Sequence, residues 1–258
     1  MKSTTPIKQG GYFKSYKEGV CFLFKEIGSF FVSKNTNVSF HLKNDSLSET
    51  VLDGYMNSSI LAAQLTFNRH FVLHGGLVEI NKKQIGIVGD SGIGKSTLLK
   101  KLEISRGATV YSDDMVAFKR HGDSFELVPT KCSGLRLWED SLEALSLNAD
   151  FHEKVHPDFN KVLVPIAEKQ FSLSPLKALV VLNYGKKTTL EKLNTTDAFK
   201  HIMGHLKCKD YLPPEMEGDH FIFASKLAKT TPVYVLTRPM GLENLMETTQ
   251  LLANANFE

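Results

Sequence analysis

One octapeptide restricts what this chain can fold into more than any other feature. Gly89-Asp90-Ser91-Gly92-Ile93-Gly94-Lys95-Ser96 satisfies G-x-x-x-x-G-K-[ST] in full. The apolar run Gln84-Ile85-Gly86-Ile87-Val88 precedes it, and helix formers from Ser96 to Leu102 follow. Strand, glycine-rich loop and helix in that order are the context a phosphate loop needs. Gly89, Gly92 and Gly94 let the backbone curl so that N–H groups point inward at phosphate oxygens. The start of the helix adds its partial positive charge. Lys95 can reach the β- and γ-phosphates, and the Ser96 hydroxyl can ligate Mg²⁺. Residues Gly89 through Thr97 are therefore expected to bind ATP with Mg²⁺. The loop alone does not separate kinase, ATPase and GTPase.

Two further features narrow the chemistry. A strand expected over Ala108-Thr109-Val110-Tyr111 ends at Ser112-Asp113-Asp114. In an open α/β sheet, loops at carboxyl strand ends line the ligand crevice. Adjacent carboxylates there can divide the work: one holds Mg²⁺, and the other accepts the proton of an incoming hydroxyl. Neighbouring acids repel, so one of the pair is expected to titrate above its ordinary value. Upstream of the loop, His74 stands just before Gly75-Gly76 at an expected strand end.

Taken together, His74-Gly75, the Gly89–Ser96 loop and Ser112-Asp113-Asp114 resemble the catalytic domain of HPr kinase/phosphorylase. The match runs best over residues 71–118. The resemblance implies that Lys95 holds phosphates, that Ser96 and Asp113 hold Mg²⁺, and that His74 sits beside the transferred phosphate. It makes the acidic pair the source of the catalytic base, with Asp114 the choice. The family's Glu-Ile-Arg-Gly-Leu-Gly signature is replaced here by Cys132-Ser133-Gly134-Leu135-Arg136-Leu137-Trp138. Its metal-binding glutamate is therefore missing, as is the basis for phosphorylase activity. The stretch is more similar to compact HPr-kinase-related kinases, which carry Leu-Arg-Leu-Trp here. Some of those, the lasso-peptide precursor kinases, phosphorylate a serine of a precursor peptide. Arg136 then becomes an electrostatic clamp on the phosphoryl group, and Arg238, ending a later strand, a second one.

Composition closes off other classes. The 258 residues are 42% hydrophobic and 23% charged, which fits a globular chain with a core of its own. Lys plus Arg is 31 against 28 acids, a net charge of +3 that leaves no nucleic-acid footprint. Cys21, Cys132 and Cys208 are far apart and odd in number, which suits reduced thiols in a cytoplasmic protein. The polar N-terminus lacks a signal-peptide pattern, and no apolar run nears the ~20 residues of a membrane span.

The expected architecture is a phosphate-loop α/β domain with a mixed sheet over residues 71–258. A β-rich segment with a short helix precedes it over residues 1–70. Strands are expected at Val20–Phe24, Phe30–Val32, Val38–Leu42, 71–80, 84–88, 108–111, 116–118, 125–128, 179–183 and 233–237. Helices are expected over 57–70, capped by Ser58 or Ser59, and over about 241–254. Pro213–Gly218 reads as loop. Lys154, His156 and Lys161 form a basic run suited to an anion. His201, His205 and Cys208 lack a fourth ligand for zinc.

The function these features point to is Mg²⁺-dependent transfer of the ATP γ-phosphate to a serine of a peptide or small protein. Free serine or another small hydroxyl compound is the alternative acceptor. A nucleotide-gated binding module with little turnover is the alternative of another class. No nucleic-acid or membrane partner is expected, and the family resemblance implies a homo-oligomer.

Overall fold

Strand residues alternate between two cores, and that alternation sets the architecture. In the computed structural model, a six-stranded sheet runs in the order β16-β17-β15-β8-β7-β9. Its members are β7 (Gly75–Ile80), β8 (Lys83–Val88), β9 (Thr109–Ser112), β15 (Leu176–Tyr184), β16 (Thr189–Lys192) and β17 (Val233–Arg238). Strand β15 lies parallel to both β8 and β17, while β7, β9 and β16 run antiparallel to their neighbours, so the sheet is mixed. Ile85, Ile87, Val180 and Leu236 face one side. There they bury helices α3 (Lys95–Arg106) and α7 (Leu245–Asn254) through Leu98, Leu99, Leu102 and Leu252. Val88, Leu179, Val181 and Val233 face the other side, against α5 (Thr195–Gly204) and α6 (Pro214–Thr230). The period of two along each strand thus produces a three-layer α/β/α sandwich. The structure describes residues 5–44, 47–130, 132–148, 152–155, 160–167, 171 and 174–258.

The first strands form their own antiparallel meander. It comprises β1 (Lys8–Gln9), β2 (Phe13–Tyr16), β3 (Gly19–Phe24), β4 (Gly28–Ser33) and β5 (Val38–Leu42). Phe13, Val20, Phe22, Phe30 and Val32 turn to one face and make a core rich in aromatic rings. That core is completed by Val51, Ile60 and Ala63 and by Cys208, Tyr211, Leu212 and Met216 from the far end of the chain. Lys8 Nζ reinforces the contact by donating to the Leu212 carbonyl at 2.9 Å.

Two three-stranded sheets flank the sandwich. One is ordered β11-β10-β6, from β6 (His70–Leu73), β10 (Val116–His121) and β11 (Ser124–Val128). The other is ordered β12-β14-β13, from β12 (Gly134–Trp138), β13 (Glu153–Lys154) and β14 (Lys161–Pro165). A short helix, α4 (Glu139–Ala144), follows β12.

Several expectations change. The apolar run 71–80 is two strands in different sheets, parted at His74. The helix expected over 57–70 starts earlier: Ser48 caps α1 (Glu49–Tyr55) by accepting from Val51 N. A kinked turn over Met56–Ile60 leads from it into α2 (Leu61–Phe67). Neither Ser58 nor Ser59 caps a helix, and Ser58 breaks the run with φ −119° and ψ −106°. Pro213–Gly218 is not loop, because Pro214 occupies the first turn of α6, where a missing N–H costs nothing. The strands β12 and β14 had no expectation at all. Among the described residues no helix is long and apolar enough to cross a membrane.

Candidate active site

The cavity opens where β8 ends and α3 begins. Val88 is the last strand residue, and the chain then turns through Gly89–Gly94 into Lys95. Gly92 and Gly94 take left-handed φ values of 82° and 93°, which residues with a Cβ adopt only at a cost. Gly94 is the N-cap of α3, and no side chain caps that end. The first N–H groups of a twelve-residue helix are left for a ligand, with the helix's positive end behind them.

Beside this loop lies a cavity of about 390 Å³, within the range of small-molecule sites. Ser91, Gly92, Gly94, Lys95, Ser96 and Thr97 line its loop side. Opposite them stand His74, Asp113, Asp114 and Arg136, with Lys161 and Arg238 at the periphery. Asp90 and Ile93 frame the loop instead of lining the cavity. Ile93 is buried in the core, and the Gly89 and Asp90 carbonyls accept from Lys95 Nζ at 2.8 and 2.9 Å. The Thr97 hydroxyl donates to Ser141 Oγ at 3.0 Å, and both residues line the cavity.

Lys95 is 7% exposed, and burial is the main cause that lowers its ammonium to about 8. Its Nζ lies 3.2 Å from His74 Nε2, and His74 Nδ1 lies 3.3 Å from Asp114 Oδ1. An ammonium donating to Nε2 leaves the ring proton on Nδ1, where Asp114 accepts it. Burial also holds the His74 imidazole below its ordinary value, consistent with a neutral ring.

The two aspartates have different surroundings. Asp114 Oδ2 accepts from Ser58 Oγ and Lys207 Nζ, each at 2.5 Å, and lies 3.1 Å from Arg136 Nη2. Burial pushes this carboxyl up, but Lys207, Arg136 and the His74 hydrogen bond outweigh it and hold it well below the usual range. The upward titration expected of one of the pair is therefore reversed at Asp114, where two close cations outweigh the effect of burial. Asp113 Oδ2 accepts from the Arg136 backbone N–H at 2.9 Å. Its Oδ1 is buried with no hydrogen-bond partner among the described residues.

Both arginines differ from the free clamps expected. The Arg136 guanidinium is already engaged, pairing with Asp114 and donating to the Gly54 carbonyl at 3.1 Å. Arg238 lies almost wholly buried under the loop, 1% exposed. Its guanidinium donates to the Ile93, Pro239 and Gly241 carbonyls at 3.0, 3.1 and 2.6 Å. It thus holds the loop in shape, and it stacks 5.1 Å from the Tyr184 ring. A Cβ at Gly94 would fall 2.5 Å from Arg238 Nη2, which explains why that position is glycine.

Lys207 is the site residue that sequence reasoning missed. The segment after α5 runs along β6: His74 N donates to the His205 carbonyl and Lys207 N to the Val72 carbonyl. That pairing delivers the Lys207 side chain to Asp114. No motif marks it, since its partner stands 93 residues away.

Of the basic run, Lys161 lines the cavity and sits 4.7 Å over the Trp138 ring. Lys154 faces Glu139 at 4.0 Å in solvent, and His156 lies outside the described residues. The His201 and His205 rings stack 6.2 Å apart at the end of α5, but Cys208 does not join them, because the helix stops at Gly204. Cys208 instead meets His220 Nε2 at 3.5 Å. Burial pushes the thiols of Cys132 and Cys208 up to about 11 and about 12, so both stay protonated. Among the described residues no group of three or more His, Cys, Asp or Glu side chains gathers to hold a metal. Mg²⁺ needs no such cage, since it takes one or two carboxylates together with phosphate oxygens and water. Asp113, whose buried Oδ1 has no partner among the described residues, and Ser96 line one cavity and are the oxygen donors that fit that requirement.

The fold and site define a mixed α/β protein with an uncapped helix end and a cluster of cations beside two carboxylates. No protein-family model matches the chain, and no curated protein matches it. Among solved structures, it is similar to the Hpr(Ser) kinase/phosphatase from Coxiella burnetii. That match has 14% identity and a TM-score of 0.32, and covers 70% of this chain and 93% of that one.

Proposed function

We propose that this chain is an ATP-dependent phosphotransferase that moves the γ-phosphate to a serine hydroxyl of a peptide or small protein. One observation carries the reading: His74, Lys95, Asp113, Asp114 and Arg136 share a single cavity with the glycine-rich loop. Nucleotide binding alone needs the loop and its lysine. It does not need a carboxylate pair with its own buried cations.

The residues divide the work as follows. The loop N–H groups and the α3 N-terminus receive the phosphates, and Lys95 exchanges its carbonyl partners for phosphate oxygens. Ser96 and Asp113 would hold Mg²⁺, which offsets charge on the phosphates when bound. Neutral His74 carries no competing charge and keeps Lys95 and Asp114 in register. Asp114 orients the incoming hydroxyl through a hydrogen bond. Its low basicity suits a loose transition state, in which bonding to the hydroxyl is slight and its proton leaves late. Arg136 and Lys207 fix the position of Asp114, so it is placed before the acceptor arrives.

The test is phosphate transfer from γ-labelled ATP with Mg²⁺ to serine-containing peptides, compared with free serine. A labelled peptide serine supports the reading. A labelled free serine moves it to a small-molecule kinase. Tight ATP binding with no labelled product moves it to a nucleotide-gated module.

A further inference from the structure

We propose that Ser58 is an internal phosphoryl acceptor, a site of self-modification beside the nucleotide cavity. The inference rests on the phosphotransferase reading above. Its hydroxyl donates to Asp114 Oδ2 at 2.5 Å. That is the contact an acceptor serine must make with the carboxylate that orients it. Asp114 itself borders the cavity that contains Lys95 and His74. Contacts of 2.5, 3.3 and 3.2 Å lead from Ser58 Oγ through Asp114 and His74 to Lys95 Nζ.

The backbone supports the same conclusion. Ser58 sits at the kink between α1 and α2, and its φ of −119° and ψ of −106° leave the helical region. Residues held in sparsely populated backbone regions persist at a local cost and cluster at functional sites. Here the interruption turns one hydroxyl out of the helix and onto Asp114. A serine in a regular helix tends to bond its own i−4 carbonyl instead. Ser58 is half-buried, so its hydroxyl is held against Asp114 without being sealed in the core.

The step balances without any further reagent. Ser58 Oγ forms a bond to the γ-phosphorus of ATP. The bond from that phosphorus to the bridging oxygen of ADP breaks, and ADP leaves with the electron pair. The hydroxyl proton passes to the Asp114 carboxylate and then to solvent. The product carries a phosphate beside the Asp114 carboxylate, so Arg136 and Lys207 then share their charge between the two anions.

The experiment incubates phosphatase-treated full-length protein with ATP and Mg²⁺ and maps phosphate by mass spectrometry. ADP is measured in parallel. The expected result is one phosphate per chain on Ser58, formed at a rate per molecule that dilution does not change. Ser58→Ala and Lys95→Ala lose it, while Ser59→Ala keeps it. Phosphate on Ser59 or elsewhere with Ser58 unmodified overturns the proposal. So does ADP formation with transfer to an added acceptor and none to Ser58, which leaves the phosphotransferase reading standing. Absence of ADP and of phosphoprotein with the protein alone overturns the proposal, and their absence with serine-containing peptides added as well overturns both.

Discussion

Lys207 Nζ meets Asp114 Oδ2 at 2.5 Å, with both side chains largely withdrawn from solvent. Arg136 and His74 share the same carboxylate. The site is therefore built around an anion that protein cations neutralise before any ligand enters. Isolated charges at this depth would be strongly disfavoured, and removing one partner strands the other.

Lys207→Met should expose this dependence. It leaves Asp114 with one fewer compensating charge in a buried setting. Chemical denaturation is expected to show a loss of about 3–5 kcal/mol, the usual cost of breaking a buried pair. A loss under about 1 kcal/mol, as surface pairs give, would mean that solvent reaches Asp114 freely.

Arg238→Ala tests the support of the loop. The change removes the donors that hold the Ile93, Pro239 and Gly241 carbonyls. Each buried group left unmade costs about 1–3 kcal/mol. ATP affinity, read by calorimetry, is expected to fall by about tenfold or more, one decade for each 1.4 kcal/mol lost from binding. Unchanged affinity would show that the loop keeps its shape alone.

Nucleotide binding should weaken above about pH 8. The buried Lys95 ammonium is lowered to about 8 and must be charged to hold phosphates. Affinity is expected to be level below that value and to decline as pH rises through it. Lys95→Arg, which stays charged, should flatten the decline. The same shift acts oppositely on stability. The unfolded chain holds this proton up to its ordinary value of 10.5. Between about 8 and 10.5 it binds more protons than the folded chain, so the Lys95 contribution to stability rises with pH there.

Asp114 sets part of the acid limit. Its carboxyl sits well below the ordinary 3.8 when folded, so its stabilisation is present above that value. As pH falls below 3.8 the unfolded chain takes up the proton first, and stability drops. Asp114→Asn should flatten this part of the acid-unfolding profile. An unchanged slope would show that the carboxylate is not ion-paired in solution.

What was legible in the sequence was local. The Gly89–Ser96 loop, its strand and its helix are contiguous, and the alternating strands write their burial into adjacent residues. His74 and Asp113 carry their meaning through position relative to that loop. What was not legible depended on distance along the chain. Lys207 reaches Asp114 through backbone pairing beside β6, and the role of Arg238 under the loop, in place of the clamp expected of it, depends on the parallel β15–β17 register; no short window contains either. Asp114 was misjudged for the same reason, since its acidity comes from Lys207 and Arg136. Pro213-Pro214 looked like loop because proline breaks helices internally, although it also begins them. The run 71–80 looked like one strand because hydrophobicity does not register the change of sheet at His74.

The most direct test of the central claim compares wild type, Lys95→Ala and the double variant Asp113→Asn, Asp114→Asn. Each is incubated with γ-labelled ATP, Mg²⁺ and serine-containing peptides, and transferred phosphate is counted by mass spectrometry beside ATP binding. The account predicts phosphoserine with wild type, none with Lys95→Ala, and ATP binding without transfer in the double variant. Wild-type transfer by Lys95→Ala, or transfer within a few-fold of wild type by the double variant, would contradict it.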